Sequence, residues 1–134
     1  GNCQNYASQC LLTGGIPMDY FGSQEWKCYS DYLDEDNSPN GRSRSWVAVS
    51  YFNEYVENNQ GYGLVGENNV NIYYSEPGDI IQVGISTVTH TTIVSRVVNN
   101  HVLVNSNSID MKDYPIEAYT YPKIVLIKIL GYND

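Results

Sequence analysis

Thr-His-Thr-Thr-Ile-Val-Ser-Arg-Val-Val-Asn-Asn-His-Val-Leu-Val-Asn-Ser-Asn, residues 89–107, carries the pattern from which the fold is read. Runs rich in Val, Ile and Thr lie on both sides of Asn99-Asn100, and β-branched residues favour the pleated backbone of a strand. Asn tolerates the positive φ that a type I′ turn needs, so the pair predicts a two-residue hairpin. Strands are expected over His90–Val98 and His101–Asn105, with Val98 facing His101, Thr92 facing Asn107 and His90 facing Ile109. In that register His90, Thr92, Asn105 and Asn107 share one face, and Asn107 is the diagonal neighbour of His90. A slip of one residue would send the Asn side chains to the opposite face.

Further strands are predicted over Ile72–Tyr74, Asp79–Val83 and Ile124–Leu130. Upstream the period is helical. Cys3, Tyr6, Ala7, Cys10 and Leu11 recur at i, i+3, i+4, i+7 and i+8 and predict a helix from Cys3 to Thr13. Asn2 is its expected N-cap, and Gly14-Gly15 followed by Pro17 ends it. Residues 18–44 read as irregular. A second helix is expected from Ser45, as its N-cap, to Asn58, with Val49, Phe52 and Val56 inward and Gly61 closing it. Helices first and strands later argue an α+β fold with a largely antiparallel sheet. With 134 residues, no internal repeat and no linker, residues 1–134 read as a single domain.

The composition excludes several functions. Seven Lys and Arg stand against 15 Asp and Glu, for a net charge of −8, which leaves no basic face for nucleic acid or a membrane surface. Mean hydropathy is −0.37, and no apolar run has the roughly 20 residues of a spanning helix. Three cysteines, an odd number, rule out a dense disulfide scaffold, although Cys10 and Cys28 could pair. The abrupt opening at Gly1-Asn2-Cys3 reads as that of a fragment whose upstream residues lie elsewhere. The acidic stretch Asp31–Asp36 reads as a solvated loop, because Pro39 stands where an EF-hand needs glycine. Two His and three scattered Cys make no zinc pattern.

Chemistry enters with Cys3 in the first turn of a helix. The positive end of the helix favours the thiolate, and its free N–H groups can hold an oxyanion. Of the two histidines, His90 lies in the β-forming run, and His101 directly after the turn is expected to be solvated. A Cys nucleophile, a His base and an Asn that orients the imidazole form a papain-type set, here Cys3, His90 and Asn107. Asn105 and Asp110 remain alternatives for the third position. Asn5, Ser8 and Gln9 are expected to hydrogen-bond around the helix, and Asp79 to cap a turn. Trp26 and Trp46 either line a cleft or belong to the core.

The segment Asn2-Cys3-Gln4-Asn5-Tyr6-Ala7-Ser8-Gln9 resembles the opening motif of the putative amidase domain family, which runs acidic-Cys-Thr-Asn-aromatic-x-Ser-Gln. Asn5, Tyr6, Ser8 and Gln9 match it; Asn2 and Gln4 depart from it. Gly78-Asp79-Ile80-Ile81-Gln82 resembles the strand before the family's His, and His90-Thr91-Thr92-Ile93-Val94 its His-x-x-Ile-Val strand. Ser106-Asn107-Ser108-Ile109-Asp110 resembles a later block in which many relatives carry His at the position of Asn107. The family is a bacterial branch of the papain-like cysteine hydrolases, related to CHAP and NlpC-type cell-wall amidases.

That resemblance implies a papain-like α+β fold with the helix of Cys3 packed on a sheet bearing His90. It implies amide hydrolysis through an acyl-enzyme on Cys3, with a peptide or peptidoglycan-like substrate and with no metal and no cofactor. Relatives are often exported or surface proteins of Gram-positive bacteria. A papain-like site commonly takes an oxyanion-hole side chain from upstream of the nucleophile. The alternative is a papain-like domain of weak or no activity that binds a peptide or glycan. Acyl transfer by the same triad would differ only in the acceptor.

Overall fold

The computed structural model describes residues 2–21, 24–29, 41–107 and 111–134. Helix α1 (Cys3–Thr13) is followed by the short α2 (Arg44–Val47) and by α3 (Val49–Asn58). Strands β1 (Gly63–Val70), β2 (Ile80–Gly84), β3 (Val88–Val98), β4 (His101–Ser106), β5 (Met111–Pro115) and β6 (Lys123–Asn133) form one antiparallel sheet in the order β1-β6-β2-β3-β4-β5. The fold is therefore α+β. No helix among the described residues is long and apolar enough to cross a membrane.

Because side chains alternate along each strand, the sheet buries two faces. On one side Ile80, Ile93, Val125 and Ile127 pack with Ala7, Leu11, Trp26, Trp46, Phe52 and Val56 of the helical layer. On the other, Ile81, Val83, Val94, Val102, Val104 and Leu126 are covered by Ile116, Tyr114 and Tyr119. Trp26 and Trp46 are core residues whose rings lie 4.6 Å apart, not cleft residues.

Helix α1 has the expected bounds, but its buried stripe is rotated. Gln4 and Ser8 are buried beside Cys3, Ala7 and Leu11, while Tyr6 and Cys10 are half-buried. The Ser8 hydroxyl is fully used: it donates to Trp46 O at 2.9 Å and accepts from Gln4 Nε2 and Trp26 Nε1. Asn5 Oδ1 accepts from Trp46 Nε1 and Gln9 Nε2. Asn2 does not cap through its side chain, which accepts instead from Asn5 Nδ2 at 2.8 Å. The three cysteines are free thiols.

Other expectations are corrected. The second helix is two, because Ala48 adopts an extended conformation between α2 and α3, and Ser43 rather than Ser45 stands at the N-cap position. Helix α3 ends at Asn58 as expected, but Asn59 and not Gly61 stands at its C-cap; it buries Phe52, Tyr55 and Val56, and Val49, expected inward, is half-buried. Ile72–Tyr74 is a 3₁₀ turn and not a strand. Asn71 Oδ1 accepts from Tyr73 N at 2.9 Å, and this local bond outcompetes a sheet ladder. Strands β1 and β5 were not foreseen. The acidic stretch 31–36, Ile109 and Asp110 lie outside the described residues.

The hairpin turn is as expected, with φ of 50° at Asn99 and 66° at Asn100. The register beyond it is not. Val98 pairs with His101 and Arg96 with Leu103, but a bulge at Ser95 brings Val94 opposite Val104 and Ile93 opposite Asn105. Ser95 Oγ lies 2.7 Å from Asp113 Oδ1 and 3.1 Å from Leu103 O, which holds the extra residue in place. Continued by the same count, Thr92 opposes Ser106, so Ser106 and not Asn107 shares the face of His90.

Strand β1 crosses α3 at Gly66, where an added Cβ would lie 2.7 Å from Val56 Cγ1 and 2.9 Å from Lys128 O. Overpacking of this kind costs about 1–3 kcal/mol. Gly66→Ala should therefore lower unfolding stability in urea by that amount, although Ala loses less entropy than Gly. A neutral or stabilising result would show that the helix–strand contact is slack.

Candidate functional site

The Val94 amide donates to Asp79 O at 2.8 Å on the β2 side. Amides alternate along a strand, so those of Ile93 and Thr91 are directed toward β4. Strand β4 ends at Ser106, and beyond its end the Thr91 amide meets Cys3 Sγ at 3.5 Å. The first residue of α1 thus lies against the backbone of Thr91, the residue that follows His90. Cys3 is 6% exposed.

Thr91 faces the helical layer and His90 the opposite side. His90 Nε2 lies 3.2 Å from Ser106 Oγ, a contact that follows directly from the bulge at Ser95. The ring of Tyr119 stands 5.8 Å from the imidazole, centroid to centroid, at a tilt of 36°. Burial pushes the Tyr119 phenol up, and the nearby Tyr114, Tyr121 and Cys3 push it further. Its hydroxyl is buried and finds no hydrogen-bond partner among the described residues. The imidazole is half-buried, and desolvation holds it below its ordinary value of 6.5, so it is neutral at pH 7.

Cys3 therefore meets the backbone of the residue that follows His90. Asn107 directly follows Ser106, and its Oδ1 is buried with no hydrogen-bond partner among the described residues. Asn105 Oδ1 accepts from Asp113 N at 2.9 Å. His101 is exposed at the far end of the hairpin and pairs with Glu117 Oε1 at 2.8 Å. Asp79 does more than close a turn. Its carboxylate accepts from Glu76 N, Ile129 N and Lys128 Nζ, tying the start of β2 to β6. Among the described residues no cluster of three or more His, Cys, Asp or Glu could hold a metal ion.

Sequence reasoning missed the polar residues behind the site. Thr91 Oγ1 donates to Gln4 Oε1 at 2.7 Å. Gln82 Nε2 lies within 3.3 Å of Gln4 Oε1, Thr91 Oγ1 and Val49 O, and Gln82 Oε1 accepts from Asn53 Nδ2. Gln4, Gln82 and Thr91 are each at most 1% exposed. The available signal was their position: Gln4 follows Cys3, and Thr91 follows His90.

The buried His90 gives stability a pH dependence. The folded imidazole takes up its proton only below 6.5, whereas the unfolded one does so near that value. The contribution is intact above pH 6.5 and is lost as the pH falls below it. Thermal melts from about pH 7.5 to 5.5 should show a declining Tm, with the decline shallower in His90→Gln. Parallel curves for the two proteins would contradict this assignment.

The putative amidase domain family matches the chain over residues 1–129. Neither a curated protein nor a solved structure matches the chain. That match takes in the helix of Cys3, the strand of His90 and nearly all of the sheet, and by it the chain belongs to the putative amidase domain family, whose name denotes hydrolysis of amide bonds.

Proposed function

We propose that this chain is a cysteine-dependent amide hydrolase of papain-like build. The observation that carries the reading is the contact of the Thr91 amide with Cys3 Sγ, which sets a thiol at a helix N-terminus beside the strand of His90. An N–H directed at sulfur, together with the helix dipole, favours the anionic nucleophile. The neutral imidazole is in the form that accepts the thiol proton. Sγ attacks the amide carbonyl carbon, and the π electrons move onto oxygen. First-turn amides of α1, which the Asn2 side chain leaves uncapped, are suited to that oxyanion. Collapse of the intermediate breaks the C–N bond, and the amine leaves with the proton returned by His90. Water then attacks the thioester, giving its proton to His90, and the carboxylic acid departs as the thiol is restored.

Ser106 Oγ at Nε2 is suited to hold the ring so that its other nitrogen serves the sulfur. The family match supports an amide substrate, and the substrate proposed is a peptide or cell-wall amide bond. The location proposed with it is outside the cell or on the surface of a Gram-positive bacterium. The low exposure of Cys3 favours a second reading, a domain that binds a peptide or glycan without turnover.

Iodoacetamide labelling followed by peptide mass spectrometry separates the two. A free cysteine of pKa about 8.5 labels slowly below about pH 6. Hydrolysis requires fast labelling of Cys3 there, lost in His90→Ala, whereas the binding domain requires a sluggish Cys3. Cys3→Ala should abolish hydrolysis of short peptide and muropeptide amides while leaving the fold intact, and unchanged turnover would refute the mechanism. Between the adjacent candidates for orienting the imidazole, Ser106→Ala should lower kcat by about tenfold or more, and by more than Asn107→Ala does. The reverse order would assign that role to Asn107.

A further inference from the structure

Gln4 and Thr91 are joined to each other and are the immediate neighbours of the two proposed reacting residues. Their 2.7 Å bond is buried in the helix–sheet seam, with Gln82 against both partners. The backbone N–H of the same Thr91 is the group directed at Cys3 Sγ. Helix α1 can therefore neither slide along β3 nor turn about its axis without breaking the Gln4–Thr91 bond. Such a movement would also withdraw Sγ from the amide.

We propose that the Gln4–Thr91–Gln82 cluster positions the nucleophile, holding Cys3 Sγ on the Thr91 amide and thereby keeping the sulfur in its reactive form. This rests on the reading of Cys3 as the nucleophile. Gln4, Thr91 and Gln82 are positioning residues: they act through Cys3 and are not assigned contact with substrate. A purely structural seam would stabilise the fold and leave the sulfur's reactivity alone. A positioning seam couples the two.

The difference is read with iodoacetamide, which needs no substrate. In the full chain, Thr91→Val removes the hydroxyl and keeps the branched shape. Thr91→Ser restores the hydroxyl. Gln4→Met removes the acceptor at similar length. Labelling of Cys3 near pH 6.5 should slow by about tenfold in Thr91→Val and in Gln4→Met, as befits a lost hydrogen bond to a charged group. In Thr91→Ser it should stay within about twofold of the parent. The double variant Gln4→Met with Thr91→Val should label about as slowly as either single one, since both break the same link.

Circular dichroism melts are recorded for each protein. If Thr91→Val melts earlier but labels at the parent rate, the proposal is overturned and the cluster only packs. Multiplying effects in the double variant would also overturn it, because the residues would then act separately. Should Thr91→Val not fold, the comparison of Gln4→Met with the parent and Thr91→Ser decides in the same way. If Cys3 of the parent protein labels no faster than free cysteine, it is the nucleophile reading that fails. That outcome is distinct from a reactive Cys3 indifferent to Thr91.

Discussion

A hydroxyl and two carboxamides sealed between a helix and a sheet must find partners, and this requirement governs how α1 sits. Burying such groups unpaired costs about 1–3 kcal/mol each in proteins, whereas apolar neighbours would tolerate several offsets of the helix. Gln4, Thr91 and Gln82 satisfy one another in one alignment, with Val49 O and Asn53 closing the remaining valences. Ser8 does the same one turn along, fixed by both tryptophans and by Gln4. Apolar packing of Ala7, Leu11 and Phe52 supplies the attraction. The polar seam selects the position.

Period-two geometry then divides the work on β3. Thr91 faces the helical layer and anchors it; His90 faces the other side, where Ser106 and Tyr119 meet the imidazole. The Thr91 amide, in the plane of the sheet, points where β4 has ended. One dipeptide thus presents three groups in three directions, and α1 delivers a sulfur to the one that lies in the plane of the sheet. The arrangement depends on β4 being short. Were the ladder to continue, the Thr91 amide would bond the next residue of β4 and Cys3 would be displaced.

Features set by local signals were legible in the sequence. Helix α1 is bounded by Asn2 and Gly14-Gly15, and the Asn99-Asn100 hairpin has a turn chemistry that admits few alternatives. The register past the hairpin was not legible, because the bulge at Ser95 is sustained by Asp113, remote in sequence and itself at positive φ. That single extra residue moved Ser106 onto the face expected for Asn107. The buried stripe of α1 was misjudged for a related reason. Periodicity counts apolar residues, and Gln4 and Ser8 are buried by virtue of partners that lie 87 and 38 residues away. Strand β1 was obscured by composition, since Gly63, Gly66, Asn68 and Asn69 are poor strand formers held by pairing with β6.

Burial acts on the proposed base of the site. Desolvation disfavours charge, and it holds the His90 imidazole below its ordinary value. The proposed nucleophile, Cys3, meets donors at its own place in the fold. The Thr91 amide and the α1 N-terminus are such donors. Both are backbone groups, fixed by the sheet and by the helix, and neither requires a side chain to reorganise as charge develops.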